Sequence, residues 1–166
     1  MERFCRVQRA DFDPAALEVA LLAGAGPGET AGAVATFTGL VRRAAGDGAF
    51  TGLTLEHYPG MTERAIGEIL DEAAARWSLL ALGVVHRIGE LAPGARIVWV
   101  GAAAAHRGDA FAACEFTMDY LKTRAPFWKK EHWGPEARWV EARSDDRHRA
   151  ARWQGEAGTT TASTEE

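Results

Sequence analysis

Every lysine of this chain lies in one short segment, residues 121–131, with the sequence LKTRAPFWKKE. The chain has 19 lysine and arginine side chains, and all of them are arginines except Lys122, Lys129 and Lys130. A lysine amine can lose its proton and act as a base or a nucleophile, whereas a guanidinium keeps its charge. The segment is therefore a candidate for proton-transfer chemistry.

Composition alone leaves two interpretations of this segment open, because a solvated basic loop could also collect three lysines by chance. Pro126 favours the functional interpretation. A proline ends any helix that runs through Lys122, so we expect a rigid turn bearing Phe127 and Trp128. Lys122 and Lys129 would flank that turn and face one pocket from two elements.

The basic excess of the chain coincides with the lysines. Residues 122–153 carry nine basic and five acidic side chains, whereas residues 1–121 carry ten and fifteen, and the formal net charge is -4. Such a patch suits an anionic small molecule or an acidic partner surface. It is too small and too mixed in sign to indicate nucleic-acid binding.

Two further cationic positions stand at predicted element ends. His106 and Arg107 follow an apolar strand and precede a helix, whose first N–H groups and dipole favour an anion. Arg42 lies at the far end of another predicted strand. A His-Arg pair also occurs as a local cap or ion pair, but together with the lysines these residues predict an anion-binding enzyme site. The residues alone do not name its substrate.

A non-catalytic module that grips an acidic partner tail is the competing hypothesis. Arginine makes the better carboxylate clamp, so the confinement of lysine to this segment argues mildly against it. The chain shows no cofactor motif and no cluster with metal-ligand spacing, so we expect neither a cofactor nor a metal. Cys5 and Cys114 are expected to be apolar fillers, and His57 and His86 to be structural, because they sit in apolar strand patterns.

Length and composition predict one domain over residues 1–153, since 166 residues with 47% hydrophobic side chains can bury a substantial core. Residues 154–166 are polar and predicted to be disordered. No apolar run approaches the roughly 20 residues of a membrane span, and the N-terminus lacks the apolar core of a signal peptide. We therefore expect a soluble, cytoplasmic protein.

Hydrophobic periodicity predicts an α+β fold in which helices and strands alternate irregularly. The predicted helices run from Pro14 to Leu22 after an Asp13 cap, from Thr62 to Trp77, and through a stripe of Phe111, Cys114, Met118 and Leu121. The stretches GAVATFTGLVR, FTGLTLEHY, LALGVVHRIG, ARIVWVGAAAA and ARWVEAR predict strands. The first of these is expected to be buried, the third and fourth to be central, and SDDRHRAARWQ to form a short charged helix.

Six short motifs occur in this order: FTGLVR, LEHYPGM, HRIGEL, an HR pair followed by AF, LKTRAPFWKKE and RWVEAR. Over roughly residues 3–153 the chain resembles the catalytic large subunit of molybdopterin synthase, the MoaE family. The resemblance implies an α/β-hammerhead-like domain with a mixed or antiparallel sheet, an added antiparallel subdomain and two to three main helices. It also implies a homodimer in which each copy binds a small ubiquitin-like sulfur carrier, giving a heterotetramer.

The activity implied by the resemblance is sulfur transfer. The carrier's C-terminal Gly-Gly thiocarboxylate would enter the large subunit and convert cyclic pyranopterin monophosphate to molybdopterin in two transfers. Lys122 and Lys129 would be the catalytic amines, and Phe37 and Met118 would wall the channel for the carrier tail. The implied substrate-binding residues are Leu40, Val41, Arg42, His106, Arg107, Lys122, Lys129, Lys130, Glu131 and Arg143, the last of these reaching in from the neighbouring subunit.

Overall fold

A computed structural model of the protein describes residues 1–26, 28, 30–43, 48–141 and 144–155. Over these residues the chain forms two four-stranded sheets and four α-helices, and a 3₁₀ turn at Arg152–Gln154 follows the last helix. In chain order the elements are β1 Glu2–Gln8, α1 Pro14–Ala23, β2 Ala33–Leu40, β3 Phe50–His57, α2 Met61–Arg76, β4 Leu79–Arg87, β5 Gly89–Leu91, β6 Arg96–Ala104, α3 Arg107–Arg124, β7 Phe127–Trp133, β8 Glu136–Val140 and α4 Ser144–Ala151.

The first sheet has the order β1-β4-β6-β2, with β1 parallel to β4 and the other pairs antiparallel. Its two central strands, β4 and β6, are the apolar runs that the sequence predicted to be central, and both of their faces are buried. Helices α2 and α3 cover one face, while α1 packs on the other around Trp99. Asp13 caps α1 by accepting a hydrogen bond from the N–H of Ala15, as predicted.

The second sheet is antiparallel, with the order β5-β3-β7-β8. Its inner face holds a small core that includes Phe50, Leu53 and Leu55. A bulge near Gly52 shifts the register of β3 against β7, and the positive φ of Gly52 and the nearby Leu91 carbonyl explain why glycine stands there. A mixed sheet with an added antiparallel sheet confirms the predicted α+β fold.

Three details differ from the sequence prediction. Strand β2, expected to be buried, is at the edge of its sheet and leaves Phe37 exposed. Phe111 of the predicted apolar stripe is 66% exposed, because α3 buries the face that carries Ala113 and Phe116 instead. Phe127 and Trp128 belong to β7 and not to a turn, so the chain goes from α3 into a strand through Ala125 and Pro126 alone.

A buried carboxylate of α3, Asp119, joins that helix to α4 and to the 3₁₀ turn that follows it. Asp119 accepts hydrogen bonds from the Trp153 indole Nε1 at 2.8 Å and from Arg152 Nη2 at 2.9 Å, and Arg149 Nε lies 3.4 Å away. Trp153 is itself buried in edge-to-face contact with Trp77, with ring centroids 5.7 Å apart. The described part of the chain ends at Gly155, and residues 156–166 of the predicted tail lie outside it.

We predict that Asp119→Asn lowers the free energy of unfolding by about 1.5–3 kcal/mol, the usual worth of hydrogen bonds to a charged group. Glu115→Gln is the matched control, since Glu115 pairs with the same Arg152 but is 45% exposed, where an ion pair contributes about 0–1 kcal/mol. Urea unfolding of the three proteins measures both values. Equal losses in the two variants would show that burial of Asp119 is not what stabilises α4.

Candidate active site

Lys122 stands in the last turn of α3, where the sequence predicted a helix end. Its side chain is 50% exposed, and its amine lies 3.5 Å from Oδ1 of Asp146 in the first turn of α4. The proline at position 126 follows the end of the helix by two residues, as expected for a helix stop. The backbone of Lys122 is thus fixed at the end of a helix, while half of its side chain is exposed to solvent.

Lys129 lies on the inner face of the second sheet. It is in register with the buried Leu55 on one side and with Val140 on the other, and directly opposed residues share a face. Its amine is 3.4 Å from Oε1 of Glu131, two residues along the same face. The structure therefore brings Lys129 and Glu131 together as a half-buried ion pair.

Lys130 points away from this pair, because strand residues alternate between the two faces. It is in register with Thr54 and Trp139, and its amine lies 5.4 Å from the centre of the Trp139 ring. A cation so placed is attracted by the ring face. Within β7 the structure therefore separates Lys130 from its neighbours Lys129 and Glu131.

The end of β2 supplies the next predicted residues. Leu40 is 54% exposed and Arg42 is exposed, whereas Val41 is buried in the core of the second sheet. The Val41 N–H donates to the Ala95 carbonyl at 2.8 Å, and its carbonyl accepts from the Gly94 N–H at 2.8 Å. Val41 therefore anchors this end of β2, while Leu40 and Arg42 on either side of it stay exposed.

Phe37 and Met118 lie on the same side of the first sheet. Phe37 is two residues from Ala35, which packs in the core beneath α3, and Met118 of α3 packs partly against that core. Phe37 is 42% exposed and Met118 is half-buried. Both side chains can thus offer apolar surface along the open edge of the sheet.

His106 and Arg107 lie at the opposite end of α3 from Lys122. His106 is the N-cap residue, makes no capping hydrogen bond through its side chain, and lines a depression with Arg107, Gly32 and Ala105. The helix runs back along β6, since Cys114 Sγ is 3.8 Å from the Val100 carbonyl in the middle of that strand.

Arg107 and Lys122 are therefore far apart in one copy of the chain. Fifteen residues of α-helix separate their Cα atoms by roughly 22 Å. The structure brings Lys122 to the end of the sheet where β2 finishes, and it leaves His106 and Arg107 at the other end. Arg143, the remaining predicted binding residue, lies outside the described residues.

Burial disfavours the thiolate form of both cysteines. Burial raises the pKa of Cys114 to about 12 and that of Cys5 to about 11. A thiol is nucleophilic as its thiolate, which these environments disfavour. Cys114 lies in the core of the first sheet and Cys5 packs against it, which is the placement expected of apolar fillers. In the described part of the chain no three His, Cys, Asp or Glu side chains are grouped to hold a metal ion.

His86 supports the start of β7. Its ring stacks on Phe127 with centroids 3.8 Å apart, and Nδ1 donates a hydrogen bond to the Arg87 carbonyl at 2.8 Å. Burial lowers the pKa of His86 to about 4, with a smaller effect from His57, so the ring is neutral near pH 7. His86 is structural, as predicted. His57 is less well satisfied, because its buried Nδ1 has no hydrogen-bond partner among the described residues.

Comparison with known proteins shows consistent similarity. Residues 7–124 match the family model described as MoaE protein. The chain is 54% identical over 149 residues to the molybdopterin synthase catalytic subunit of Pseudomonas aeruginosa, covering 90% of this chain and 97% of that protein. The chain belongs to the MoaE family.

Further relatives agree with this assignment. The molybdopterin synthase catalytic subunit of Escherichia coli is 59% identical over 122 residues, which cover 74% of this chain and 81% of that one. The solved structure of molybdopterin cofactor biosynthesis protein E from Burkholderia multivorans superposes with a TM-score of 0.77 at 51% identity, over 93% of this chain and 98% of that chain. The family resemblance read from the motifs is confirmed.

Sequence reasoning missed Asp146, the carboxylate next to Lys122. The segment SDDRHRAARWQ was predicted to be a helix, and that prediction is confirmed by α4. Nothing in a helical pattern says which other helix it packs against. Tertiary contacts such as the hydrogen bond from Trp153 to Asp119, which have no local signature, bring Asp146 to within 3.5 Å of the Lys122 amine.

We predict that stability falls as the pH drops from about 6.5 to about 4, because the unfolded chain takes up a proton on His86 in this range and the folded chain does not. The expected loss from this residue is about 2–3 kcal/mol. His86→Leu should flatten the dependence, and His148→Leu on the exposed side of α4 should not. Chemical unfolding at several pH values tests this, and parallel curves for wild type and His86→Leu would contradict it.

Proposed function

We propose that the chain is the catalytic subunit of a molybdopterin synthase, a sulfurtransferase of molybdenum cofactor biosynthesis. It would take sulfur from the C-terminal thiocarboxylate of a small ubiquitin-like carrier and place it on cyclic pyranopterin monophosphate. Membership of the MoaE family, whose relatives are named as this subunit, is the observation that carries the proposal. The accessible amines of Lys122 and Lys129 supply the chemistry.

Each transfer forms a C–S bond on the pterin side chain and breaks a C–O bond there. In one transfer the oxygen that leaves is the phosphate-ester oxygen, which opens the cyclic phosphate, and in the other it leaves as water. A second water then cleaves the bond between the sulfur and the carrier's acyl carbon, and the carrier leaves as a carboxylate. Addition of the thiocarboxylate and opening of the ring require protons to be delivered and removed. Lys122 is proposed as the principal acid–base group and Lys129 as the second. The half-buried Glu131 at 3.4 Å from Lys129 can balance its charge between the two transfers.

The remaining surface of this end of the molecule suits the two substrates. Leu40 and Arg42 would contact the pterin from the end of β2, and Lys129 with Glu131 would close the site from β7. Phe37 and Met118 would flank the narrow Gly-Gly tail of the carrier. Lys130 lies on the outer face, so its proposed contribution is to the charge of the entrance rather than to a contact inside.

The phosphate-binding role proposed for His106 and Arg107 requires a second copy of the chain. They lie roughly 22 Å from Lys122 along α3, which is too far for a single small ligand to bridge. In a two-fold dimer each copy can complete the site of the other. We therefore propose a cytoplasmic homodimer within a heterotetramer, in which His106, Arg107 and Arg143 serve the neighbouring site.

Lys122→Arg should lose most product formation, because arginine keeps the charge but cannot act as a base at neutral pH. The expected loss is roughly a hundredfold or more in single-turnover dithiolene formation, and Lys122→Ala should be no better. Arg64→Lys, an exposed position on α2, is the control for substitution of one cation by another. Near-normal turnover in Lys122→Arg would leave Lys122 as an electrostatic anchor only.

Mixing two inactive variants tests the shared site. A dimer of one Lys122→Ala chain and one Arg107→Ala chain retains one site with both residues intact if Arg107 serves the opposite copy. Random reassortment should then restore about a quarter of the wild-type activity. The same mixture stays inactive if both residues serve the site of their own chain. Size-exclusion chromatography with two differently tagged chains confirms that mixed dimers have formed.

A further inference from the structure

One face of α3 carries a row of three charged residues that pair with the C-terminal segment, and the third has the opposite sign to the first two. Glu115, Asp119 and Lys122 follow one another at spacings of four and three residues, so they share one face of α3. The two carboxylates face arginines of the C-terminal segment, with Glu115 2.6 Å and Asp119 2.9 Å from Arg152 Nη2. The third position faces Asp146 instead.

The reversal places a carboxylate of α4 next to the proposed catalytic amine. The first two positions suffice to hold α4, since Asp119 is buried and also accepts the indole N–H of Trp153. A half-exposed ion pair such as Lys122 with Asp146 adds little to stability. The position of Asp146 beside Lys122 is therefore better explained by an effect of the carboxylate on the orientation of the amine.

The two partners differ in exposure in a way that suits this role. The Asp146 side chain is 17% exposed, whereas that of Lys122 is 50% exposed. The carboxylate is thus held by the fold while the amine faces solvent. An ammonium group has three N–H donors, so one can be directed at Asp146 and the other two remain for a substrate.

We propose that Asp146 is a positioning residue that holds the Lys122 amine in the orientation needed for sulfur transfer. The carboxylate removes the freedom of a four-carbon side chain that would otherwise swing through solvent. Asp119, through Arg152 and Trp153, keeps Asp146 at that place. This inference rests on the catalytic role of Lys122 stated in the proposed function.

Asp146→Asn tests the inference, with Asp145→Asn as the matched control on the neighbouring, exposed residue of the same turn. The full-length chain is assayed by single-turnover dithiolene formation with thiocarboxylated carrier and cyclic pyranopterin monophosphate. We expect Asp146→Asn to lower the rate constant roughly ten- to a hundredfold, the cost of a displaced catalytic group. Affinities for carrier and pterin should change less than about twofold, since the ground-state contacts remain.

Two further variants separate positioning from structure. Asp146→Glu keeps the negative charge and should therefore be faster than Asp146→Asn. If the loss in Asp146→Asn came only from a structural defect, restoring the charge would not raise the rate. In a Lys122→Ala background, Asp146→Asn should cause no further loss, because a residue that acts through Lys122 has nothing left to position. The melting temperature of Asp146→Asn should stay close to that of Asp145→Asn.

Specific results would overturn the inference. They are an unchanged rate in Asp146→Asn, an equal loss in Asp145→Asn, or a loss that accompanies a large fall in melting temperature and is not recovered by Asp146→Glu. Failure of the proposed function is distinguishable from these. If Lys122→Ala and Lys122→Arg were both active, the role of Lys122 itself would be wrong, whatever Asp146→Asn showed.

Discussion

The fixed length of α3 is the constraint on which the rest of the site depends. A helix rises about 1.5 Å per residue, so the residues at its two ends cannot approach each other. It carries His106 and Arg107 at its start, Met118 in its body and Lys122 in its last turn. Its packing on β6 and β2 fixes both ends relative to the first sheet. The chain therefore presents the Lys122 amine at one end of α3 and the His-Arg pair at the other.

Local sequence patterns predicted which segments form helices and strands better than they predicted where those elements pack in the fold. The apolar runs of β4 and β6 identified central strands because only strands covered on both faces are continuously apolar. The alternating pattern of β2 predicts a buried strand, yet β2 lies at an edge. The position of a strand within a sheet depends on its neighbours and not on its own residues. Pro126 correctly predicted the end of α3. It could not show that Phe127 begins a strand, which depends on pairing with β3 and stacking on His86.

The candidate site was predictable in its residue types and only partly in its geometry. The confinement of lysine to one segment singled out Lys122 and Lys129 as candidates without any structure. The separation of Lys122 from Arg107 was in principle available too, because a predicted helix from one to the other fixes their distance. The contact between Lys122 and Asp146 was not, since it depends on a buried carboxylate and an indole N–H more than 30 residues apart in sequence.

Lys129 and Lys130 lie on opposite faces of β7, so a one-residue shift in the register of this strand would exchange their positions. A slip of one residue in a strand exchanges its two faces. Such a slip would replace Lys129 by Lys130 on the inner face, so an amine would still be present there. Glu131 would move to the outside and His132 would take its place. After such a slip the inner face would keep a cation but lose both its carboxylate and the packed Trp133.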